Sequence, residues 1–176
     1  MHSYPINIKK GKRISIIGGV NVLNDLNEAI EIGMKFKEVC KKNKISYIFK
    51  ASFDKANRTS FDGYRGPGFS EGLEMLREIK NILRVPILTD IHETYQASKA
   101  AEVCDMLQLP AFLARQTDLI KALANTGKPI NIKKPQFISP DQIKFIVQKF
   151  SKFGCEDVVI CERGSMYGYN QQIVDI

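Results

Sequence analysis

The sequence predicts an α/β fold in which parallel strands alternate with helices, and three observations support this class. The chain of 176 residues, 44% hydrophobic and 26% charged, has the composition of an ordinary globular domain. Short apolar runs typical of buried strands alternate with stretches whose apolar residues recur at helical spacing. The alternation is strict, which favours parallel pairing through right-handed crossovers. We therefore expect residues 1–176 to form one domain.

A short β-hairpin is expected at the N-terminus, before the regular alternation begins. Alternating segments at residues 6–8 and 14–17 flank the turn-like residues 9–12, and the second segment leads into the first core strand. The first helix follows, because apolar residues then recur on one helical face. They are Leu26, Ala29, Ile30, Gly33, Phe36 and Cys40.

The second and third β/α repeats follow the same pattern. Residues 45–52 are expected to form an apolar strand, and Ser70 to cap the second helix. The third strand is expected at residues 85–92, the third helix at 94–104 and the fourth strand at 106–110. The apolar stripe of the second helix comprises Leu73, Leu76, Ile79 and Leu83.

Capping and helix-breaking residues mark the last two helices. Thr117 is expected to cap the fourth helix and Gly127 to end it. The fifth helix is expected to begin with a capping box at residues 139–142, with proline at the first helical position, and to close at Gly154. The fifth and sixth strands are expected at residues 129–134 and 157–162.

Alternation of this kind fits both an open doubly wound sheet and a closed barrel. A dinucleotide-binding sheet loses support, because the chain reads IIGGVN after the first strand and lacks the G-x-G-x-x-G fingerprint. A TIM (β/α)8 barrel is favoured, because polar residues gather at the C-terminal ends of the strands, where such barrels carry their active sites. These residues are Asn21, Lys50, Ser52, Asp90, His92, Gln108, Lys133 and Arg163.

The charge and cysteine patterns exclude several classes of function. The net charge of +7 suits an anionic partner, but no basic run is interleaved with aromatic residues, so a nucleic-acid partner is not expected. The four cysteines form no C-x-x-C pair, which argues against structural zinc and a disulfide framework. Without a signal-peptide pattern or an apolar run of about 18 residues, we expect no membrane partner and a cytoplasmic location.

The segment FKASFDKANRTS, residues 49–60, predicts an anion site. It places Lys50, Lys55, Asn57 and Arg58 within nine residues, directly after a buried strand. Ammonium and guanidinium donors match the oxygens of phosphates and carboxylates. Because side chains alternate faces along a strand, Lys50 is expected to point the same way as Ser52. We expect the cationic tips of successive strands to meet around phosphorylated small molecules.

A second basic segment ends the fifth strand. Asn131 and Lys133 share one face of that strand, opposite Ile132 and Lys134. Only one of the two lysines is therefore expected to face inward. We assign that position to Lys133 and expect Lys134 to be an outer or loop cation.

Each polar strand tip, taken alone, also fits a plainer role. A lone lysine is often a surface residue that buries only its stem, and His92 fits a hydrogen-bonded core histidine as well as a site residue. Asp90 either orients a cation or simply pairs with one, and Glu162 beside Arg163 fits a local ion pair. Arg65 of the RGPG turn is expected to contact solvent, a ligand or a neighbouring subunit.

Six motifs in order closely resemble the 3-deoxy-D-manno-octulosonate 8-phosphate synthase family, from about residue 14 to the last residue. They are FKASFDKANRTS, SFDGYRGPG, TDIHE, QLPAFLARQTDL, NIKKPQF and CERGSMYGY. The related synthase of the seven-carbon sugar acid of aromatic biosynthesis shares the fold and the pyruvyl chemistry. The KANR and LPAFLARQTDL segments resemble the eight-carbon family instead.

This resemblance implies a transferase that condenses phosphoenolpyruvate with D-arabinose 5-phosphate and releases phosphate, in lipopolysaccharide (KDO) biosynthesis. It also implies a homotetramer, and each site residue receives a role by its matching motif position. The phosphoenolpyruvate ligands are Lys50, Ser52, Lys55, Gln108, Lys133 and Arg163. The sugar-phosphate ligands are Asn57, Arg58 and Arg115, the last for an adjoining subunit. The catalytic candidates are Asn21, Lys55, Asp90 and His92.

The resemblance also bears on metal use and on chain length. Asn21 lies where the metal-requiring branch of the family has a cysteine, so the metal-independent branch, without metal or cofactor, is expected. The alternation stops after the sixth strand, whereas a TIM barrel has eight strands. We therefore expect an N-terminal portion of the enzyme, with about six of eight β/α units. Two hypotheses follow, an active synthase and a truncated, non-catalytic protein that at most binds phosphorylated ligands.

Overall fold

The computed structural model describes residues 4–6, 8 and 14–174, and its backbone contacts divide the chain into two compact units. Unit 1 comprises Met1–Asp90 and Glu102–Met106, and unit 2 comprises Ile91–Ala101 and Leu107–Ile176. Each unit contains its own ladder of parallel strands. The expectation of one domain stays a prediction.

Unit 1 is a three-stranded parallel ladder with two long helices. Ile17 lies opposite Ile48, and Lys50 lies opposite Leu88. The elements are β1 (Ser15–Gly19), α1 (Leu26–Lys42), β2 (Ser46–Lys50), α2 (Phe69–Leu83) and β3 (Ile87–Asp90). Strands β2 and β3 are shorter at both ends than the expected strands at residues 45–52 and 85–92, whereas β1 extends two residues beyond the expected segment 14–17.

Helix α1 starts and ends with favourable charges. The carboxylate of Asp25 accepts a hydrogen bond from the backbone N–H of Glu28 at 2.7 Å, so one of the unpaired first-turn donors is satisfied. Glu28 lies in the first turn, and Lys41 and Lys42 lie in the last, where each opposes the helix dipole. Three residues of the expected apolar face are buried, namely Ala29, Gly33 and Cys40.

Helix α2 keeps the expected apolar stripe but not the expected cap. All four stripe residues are buried. Ser70 is the second residue inside the helix, so the prediction that it caps the helix is wrong. The N-cap is Gly68, whose φ of 88° lies in a region that favours glycine, and Arg84 ends the helix in a left-handed conformation.

Unit 2 contains the remaining strands. Gln108 lies opposite Asn131, and Lys133 lies opposite Cys161, so β4, β5 and β6 form a parallel ladder. Helix α3 (Gln96–Val103) has residues in both units, as does β4 (Met106–Leu109). The other elements are α4 (Thr117–Ala124), β5 (Ile130–Lys133), α5 (Ile143–Lys152), β6 (Val158–Cys161), β7 (Ser165–Met166) and β8 (Gln172–Ile173).

Two further capping predictions are wrong. Gln116 is the N-cap of α4, and Thr117 is already helical, with its hydroxyl accepting a hydrogen bond from Lys149 Nζ at 2.7 Å. Ser139 makes no side-chain cap bond, because the backbone N–H of Gln142 donates to the Ser139 carbonyl at 3.1 Å in a 3-10 turn. Pro140 does occupy the first position of that turn. Helix α5 begins only after it.

The two chain ends differ from the expected pattern. Residues 9–12, the turn of the predicted N-terminal hairpin, lie outside the described residues, as does Asn7. Strands β7 and β8 pair antiparallel, with Ser165 opposite Ile173, and were not expected from the sequence. The α/β class is confirmed, since six parallel strands alternate with helices, as in six of the eight β/α units of a TIM-type barrel. In the part of the chain described, no helix has the length and apolarity of a membrane span.

Candidate functional site

Four residues of unit 1 meet around one hydroxyl group. Ser52 Oγ accepts hydrogen bonds from Lys50 Nζ at 2.7 Å and from Lys55 Nζ at 2.9 Å, and it donates to Asp90 Oδ1. Lys50 Nζ also lies 3.0 Å from Asp90 Oδ1. We call Lys50, Ser52, Lys55 and Asp90 the Ser52 cluster. It brings together four of the residues that the sequence singled out.

The parallel register of β2 and β3 produces this cluster. Lys50 lies opposite Leu88, so the next residues on the same face are Ser52, two residues beyond the end of β2, and Asp90, the last residue of β3. The prediction that Lys50 and Ser52 point the same way is confirmed by their hydrogen bond. Asp90 forms an ion pair with Lys50, which fits both roles considered for it, namely orienting a cation and simply pairing with one.

The charges of the Ser52 cluster favour an anion. Ser52 is fully buried, and the side chains of Lys50 and Asp90 are only 18% and 8% exposed. Two ammonium groups and one carboxylate meet at this hydroxyl group in a poorly solvated place, where charge-assisted hydrogen bonds to a phosphate or carboxylate are strong. The cluster is therefore suited to hold such a group and to stabilise negative charge.

The loop after β2 folds back on itself beside the cluster. Arg65 makes a two-point ion pair with Asp54 of the same chain, at 2.8 and 2.5 Å, a partner that was not among the three options considered from the sequence. The Lys55 N–H donates to the Arg65 carbonyl at 2.6 Å, so this ion pair and the backbone bond together hold Lys55 in place.

The remaining polar candidates of unit 1 are exposed. Arg58 Nε donates to the Tyr64 carbonyl at 3.0 Å, and the Tyr64 hydroxyl donates to the Leu23 carbonyl at 3.2 Å. Asn57 lies beside Arg58 in the same exposed turn, and Asn21 is exposed in the turn after β1. These side chains are therefore accessible to a ligand.

In unit 2, the side-chain amides of Gln108 in β4 and Asn131 in β5 form a pair across neighbouring strands. Asn131 Nδ2 donates to Gln108 Oε1 at 3.1 Å, and both residues are buried. Asn131 Oδ1 has no hydrogen-bond partner among the described residues, so it remains an acceptor for a ligand or water. Our sequence analysis did not propose Asn131 as a site residue, although its shared face with Lys133 was the available signal.

The two lysines after Asn131 differ sharply in their surroundings. Lys133 is half-buried at the end of β5, and Arg163 is half-buried in the loop after β6. Lys134 follows β5 directly, as expected of a loop cation, but the expectation of an outer position is wrong. It is 1% exposed, because its ammonium group is surrounded by backbone carbonyls.

His92 and Arg115 line two separate pockets of unit 2. His92 is half-buried and lines a pocket of about 240 Å³ with the acidic residues Glu93 and Asp118. Its backbone N–H donates to Gln96 Oε1 at 2.8 Å. Arg115 is exposed and lines a pocket of about 320 Å³ together with Lys149.

The thiols and the acidic groups do not suggest other chemistry. Burial raises the pKa of the Cys40 and Cys155 thiols, which disfavours the nucleophilic thiolate. Over the described ranges, no group of three or more His, Cys, Asp or Glu side chains is arranged to hold a metal ion. The chemistry suited to these two units is the binding of anions by lysine, arginine and amide groups.

Comparison with known proteins gives a consistent picture. A family model described as the DAHP synthetase I family matches residues 2–176. A protein of Shewanella sp. (strain ANA-3) named 2-dehydro-3-deoxyphosphooctonate aldolase is 51% identical over 171 residues, or 97% of this chain and 61% of the relative. A protein of the same name from Prochlorococcus marinus is 55% identical over 161 residues, or 92% of this chain and 57% of the relative.

A third relative, from Colwellia psychrerythraea, has the same name and is 52% identical over 171 residues. The resemblance stated from the six motifs is thereby confirmed. The chain spans about three fifths of the length of the curated relatives that it matches.

Proposed function

Because the chain belongs to the DAHP synthetase I family, we propose that it carries substrate-binding parts of a 3-deoxy-D-manno-octulosonate 8-phosphate synthase. The reaction joins phosphoenolpyruvate, D-arabinose 5-phosphate and water, and releases inorganic phosphate, in KDO and lipopolysaccharide biosynthesis. The Ser52 cluster is the observation that supports it most, since two ammonium groups converge on one buried hydroxyl. The names of the relatives support the same reaction.

Phosphoenolpyruvate is the proposed ligand of the Ser52 cluster. Its phosphate and carboxylate carry negative charges that complement the ammonium groups of Lys50 and Lys55, whose N–H groups can make charge-assisted hydrogen bonds. Asp90 holds Lys50 through their ion pair, so the ammonium group is oriented before the ligand arrives. The other proposed ligands of this substrate are Gln108, Lys133 and Arg163.

The sugar phosphate is assigned to exposed polar side chains. Arg58 and Asn57 are the proposed ligands of D-arabinose 5-phosphate, since a guanidinium group binds phosphate oxygens in a two-point geometry. Arg115 is proposed to serve a neighbouring subunit of a homotetramer. Asn21 and His92 are proposed as further catalytic residues.

In the proposed mechanism, water adds at C2 of phosphoenolpyruvate while C3 attacks the aldehyde carbon of the sugar. The new C–C bond uses the electron pair of the C2–C3 double bond, and the aldehyde oxygen takes up a proton. The C2–O bond to the phosphoryl group then breaks, the phosphate leaves with the bonding electron pair, and the C2 hydroxyl group derived from water loses its proton to become the new carbonyl group. Lysine and arginine side chains stabilise the negative charge that develops on the departing phosphate. Asp90 and Lys55 are the candidates for proton transfer.

A phosphate-release assay tests this proposal. Purified chain is incubated with phosphoenolpyruvate and D-arabinose 5-phosphate, then with each substrate alone. Lys50→Met removes one cation of the Ser52 cluster, and Lys35→Met serves as the matched control, since Lys35 is an exposed residue of α1 that pairs with Glu31. Release that needs both substrates and is lost only in Lys50→Met supports the synthase.

Binding of phosphoenolpyruvate without turnover supports the non-catalytic alternative. Absence of both binding and turnover in folded protein contradicts the proposal. A cytoplasmic location and a tetrameric state belong to the same proposal, and the latter is checked by light scattering.

A further inference from the structure

Lys134 has an unusual environment for a lysine. Its side chain is 1% exposed, and its ammonium group donates to the carbonyls of Pro135 at 3.0 Å, Ile138 at 3.2 Å and Gly164 at 2.9 Å. Ser165 Oγ also lies 3.0 Å from this nitrogen, so the three N–H groups are shared among four acceptors. A buried ammonium group is costly, and packed apolar side chains often stabilise a core equally well. A purely structural role therefore leaves the choice of a charged residue here unexplained.

The contacts of Lys134 join two segments that are distant in sequence. The Pro135 and Ile138 carbonyls belong to the loop after β5, whereas Gly164 ends the loop after β6 and Ser165 begins β7. The backbone N–H of Met166 also donates to the Gln136 carbonyl at 2.9 Å. The ammonium group is thus the centre of a junction between these two loops.

The loop after β6 contains Arg163, and side chains form hydrogen bonds with the peptide groups of Arg163 and Gly164. Glu162 Oε1 accepts from the N–H groups of Arg163 and Gly164, at 2.9 and 2.5 Å. Gln172 Nε2 donates to the Arg163 carbonyl at 2.7 Å, and Lys134 donates to the Gly164 carbonyl. Lys134 Nζ lies 3.6 Å from Glu162 Oε1, so it also neutralises the carboxylate that holds both N–H groups.

Gly164 allows the backbone conformation of this loop, but it also makes the loop more flexible. Its φ of 94° lies in a region where other residues are strained, and a Cβ atom there would lie 2.7 Å from the Gln172 side chain. A glycine in such a loop has many alternative conformations. The orientation of the preceding arginine therefore depends on the bonds that fix residues 162–165.

We infer that Lys134 is a positioning residue that fixes the loop of residues 162–165, so that the Arg163 guanidinium group is held ready for a substrate anion. The inference rests on the proposed function, in which Arg163 binds phosphoenolpyruvate. Lys134 itself touches no substrate in this account. Its charge acts on the Gly164 carbonyl, the Ser165 hydroxyl and the Glu162 carboxylate.

The test compares two buried lysines. Lys134→Met removes the ammonium group and with it the hydrogen bonds that join the two loops. Lys80→Met is the matched control, since Lys80 is 4% exposed, donates to the Val103 carbonyl and pairs with Asp105 at 2.8 Å in unit 1. Amide hydrogen exchange is measured in folded wild type and in both variants, below the temperature at which each unfolds.

Lys134→Met is expected to speed exchange at the Arg163 and Gly164 amides about tenfold or more, whereas Lys80→Met leaves them unchanged, because only local opening is affected. Ser165→Ala provides a milder second variant, with a smaller effect at the same amides. The inference is overturned if exchange at the Arg163 and Gly164 amides is unchanged in Lys134→Met and Ser165→Ala, or if Lys80→Met accelerates it equally. If Lys134→Met does not fold, the Ser165→Ala result decides.

Calorimetric titration with phosphoenolpyruvate completes the test. Lys134→Met is expected to bind it about tenfold more weakly than Lys80→Met does. Faster exchange with unchanged affinity overturns the positioning role. Wild-type protein that binds no phosphoenolpyruvate contradicts the proposed function instead, and the exchange result then decides the role of Lys134 in the loop by itself.

Discussion

Ser52 has three charged neighbours within hydrogen-bonding distance, although its own side chain is neutral. At the scale of single residues, this hydroxyl group keeps two ammonium groups close together before a ligand arrives. Like charges repel, so their shared acceptor and the Asp90 carboxylate are needed to hold them. A ligand anion then finds its donors already in position.

Ser52→Ala should therefore weaken phosphoenolpyruvate binding by about 1–2 kcal/mol, because both lysines lose a buried acceptor. The measurement is isothermal titration calorimetry. Ser70→Ala is the control, since Ser70 is exposed inside α2 and does not cap it. Equal affinity of the two variants would show that the hydroxyl group does not organise the cations.

Arg58→Ala should affect the two substrates unequally. Arg58 is exposed and its Nε atom donates to the Tyr64 carbonyl, so among the described residues its terminal nitrogens are accessible to a phosphate group. We expect the loss of sugar-phosphate binding to reach about 2 kcal/mol, with a much smaller loss for phosphoenolpyruvate. Titration with each substrate separately gives both values, and equal losses contradict the division of ligands proposed here.

Face alternation along a strand predicted which polar residues point the same way, and it succeeded for Lys50 and Ser52. It also placed Asn131 on the same strand face as Lys133, but we did not use this signal to propose Asn131 as a site residue. The burial of Lys134 was not predictable in this way, because alternation ends with the strand. What surrounds Lys134 is set by a loop about 30 residues later in the chain, as its bond to Gly164 shows.

At the scale of elements, the helices differ in how their first turns are satisfied. Asp25 caps α1 through its carboxylate, whereas Ser139 makes no side-chain cap bond before α5. Asp25→Ala should lower the free energy of unfolding by about 1 kcal/mol. Ser139→Ala should change it by less than about 0.5 kcal/mol. Urea unfolding measures both, and similar values for the two variants would contradict the assigned caps.

The order and type of the six strands and five helices were predictable because apolar periodicity is set by burial. The helix starts were predicted less well. Ser70 and Thr117 are good capping residues by type, yet in each case the helix begins one or two residues earlier in the chain than their capping would require. Tertiary contacts, such as that of Thr117 with Lys149, override the local preference. The β7 and β8 pair has two residues per strand, too few for a periodic signal.

At the scale of the whole molecule, the buried thiols link stability to pH. Burial raises the pKa of Cys40 and Cys155 above the ordinary value of 9.0. The folded protein therefore keeps protons that the unfolded chain has released. This contribution to stability is complete below about pH 9 and is lost as the pH rises through the pKa of the folded protein.

The double variant Cys40→Ala/Cys155→Ala should accordingly lose less stability than wild type between about pH 8 and about pH 10. Urea unfolding at both pH values gives the slope, with Ser70→Ala as a non-titrating control. An unchanged slope in the double variant would indicate that these thiols titrate alike in the folded and unfolded chain.

The central claim is that the Ser52 cluster binds the phosphoenolpyruvate anion, and calorimetric titration of this ligand into three folded proteins tests it most directly. Wild type and Lys35→Met should bind with the same affinity, and Lys50→Met should bind about tenfold or more weakly, because a charge-assisted bond in a buried place is lost. Equal binding by Lys50→Met and Lys35→Met would contradict the claim.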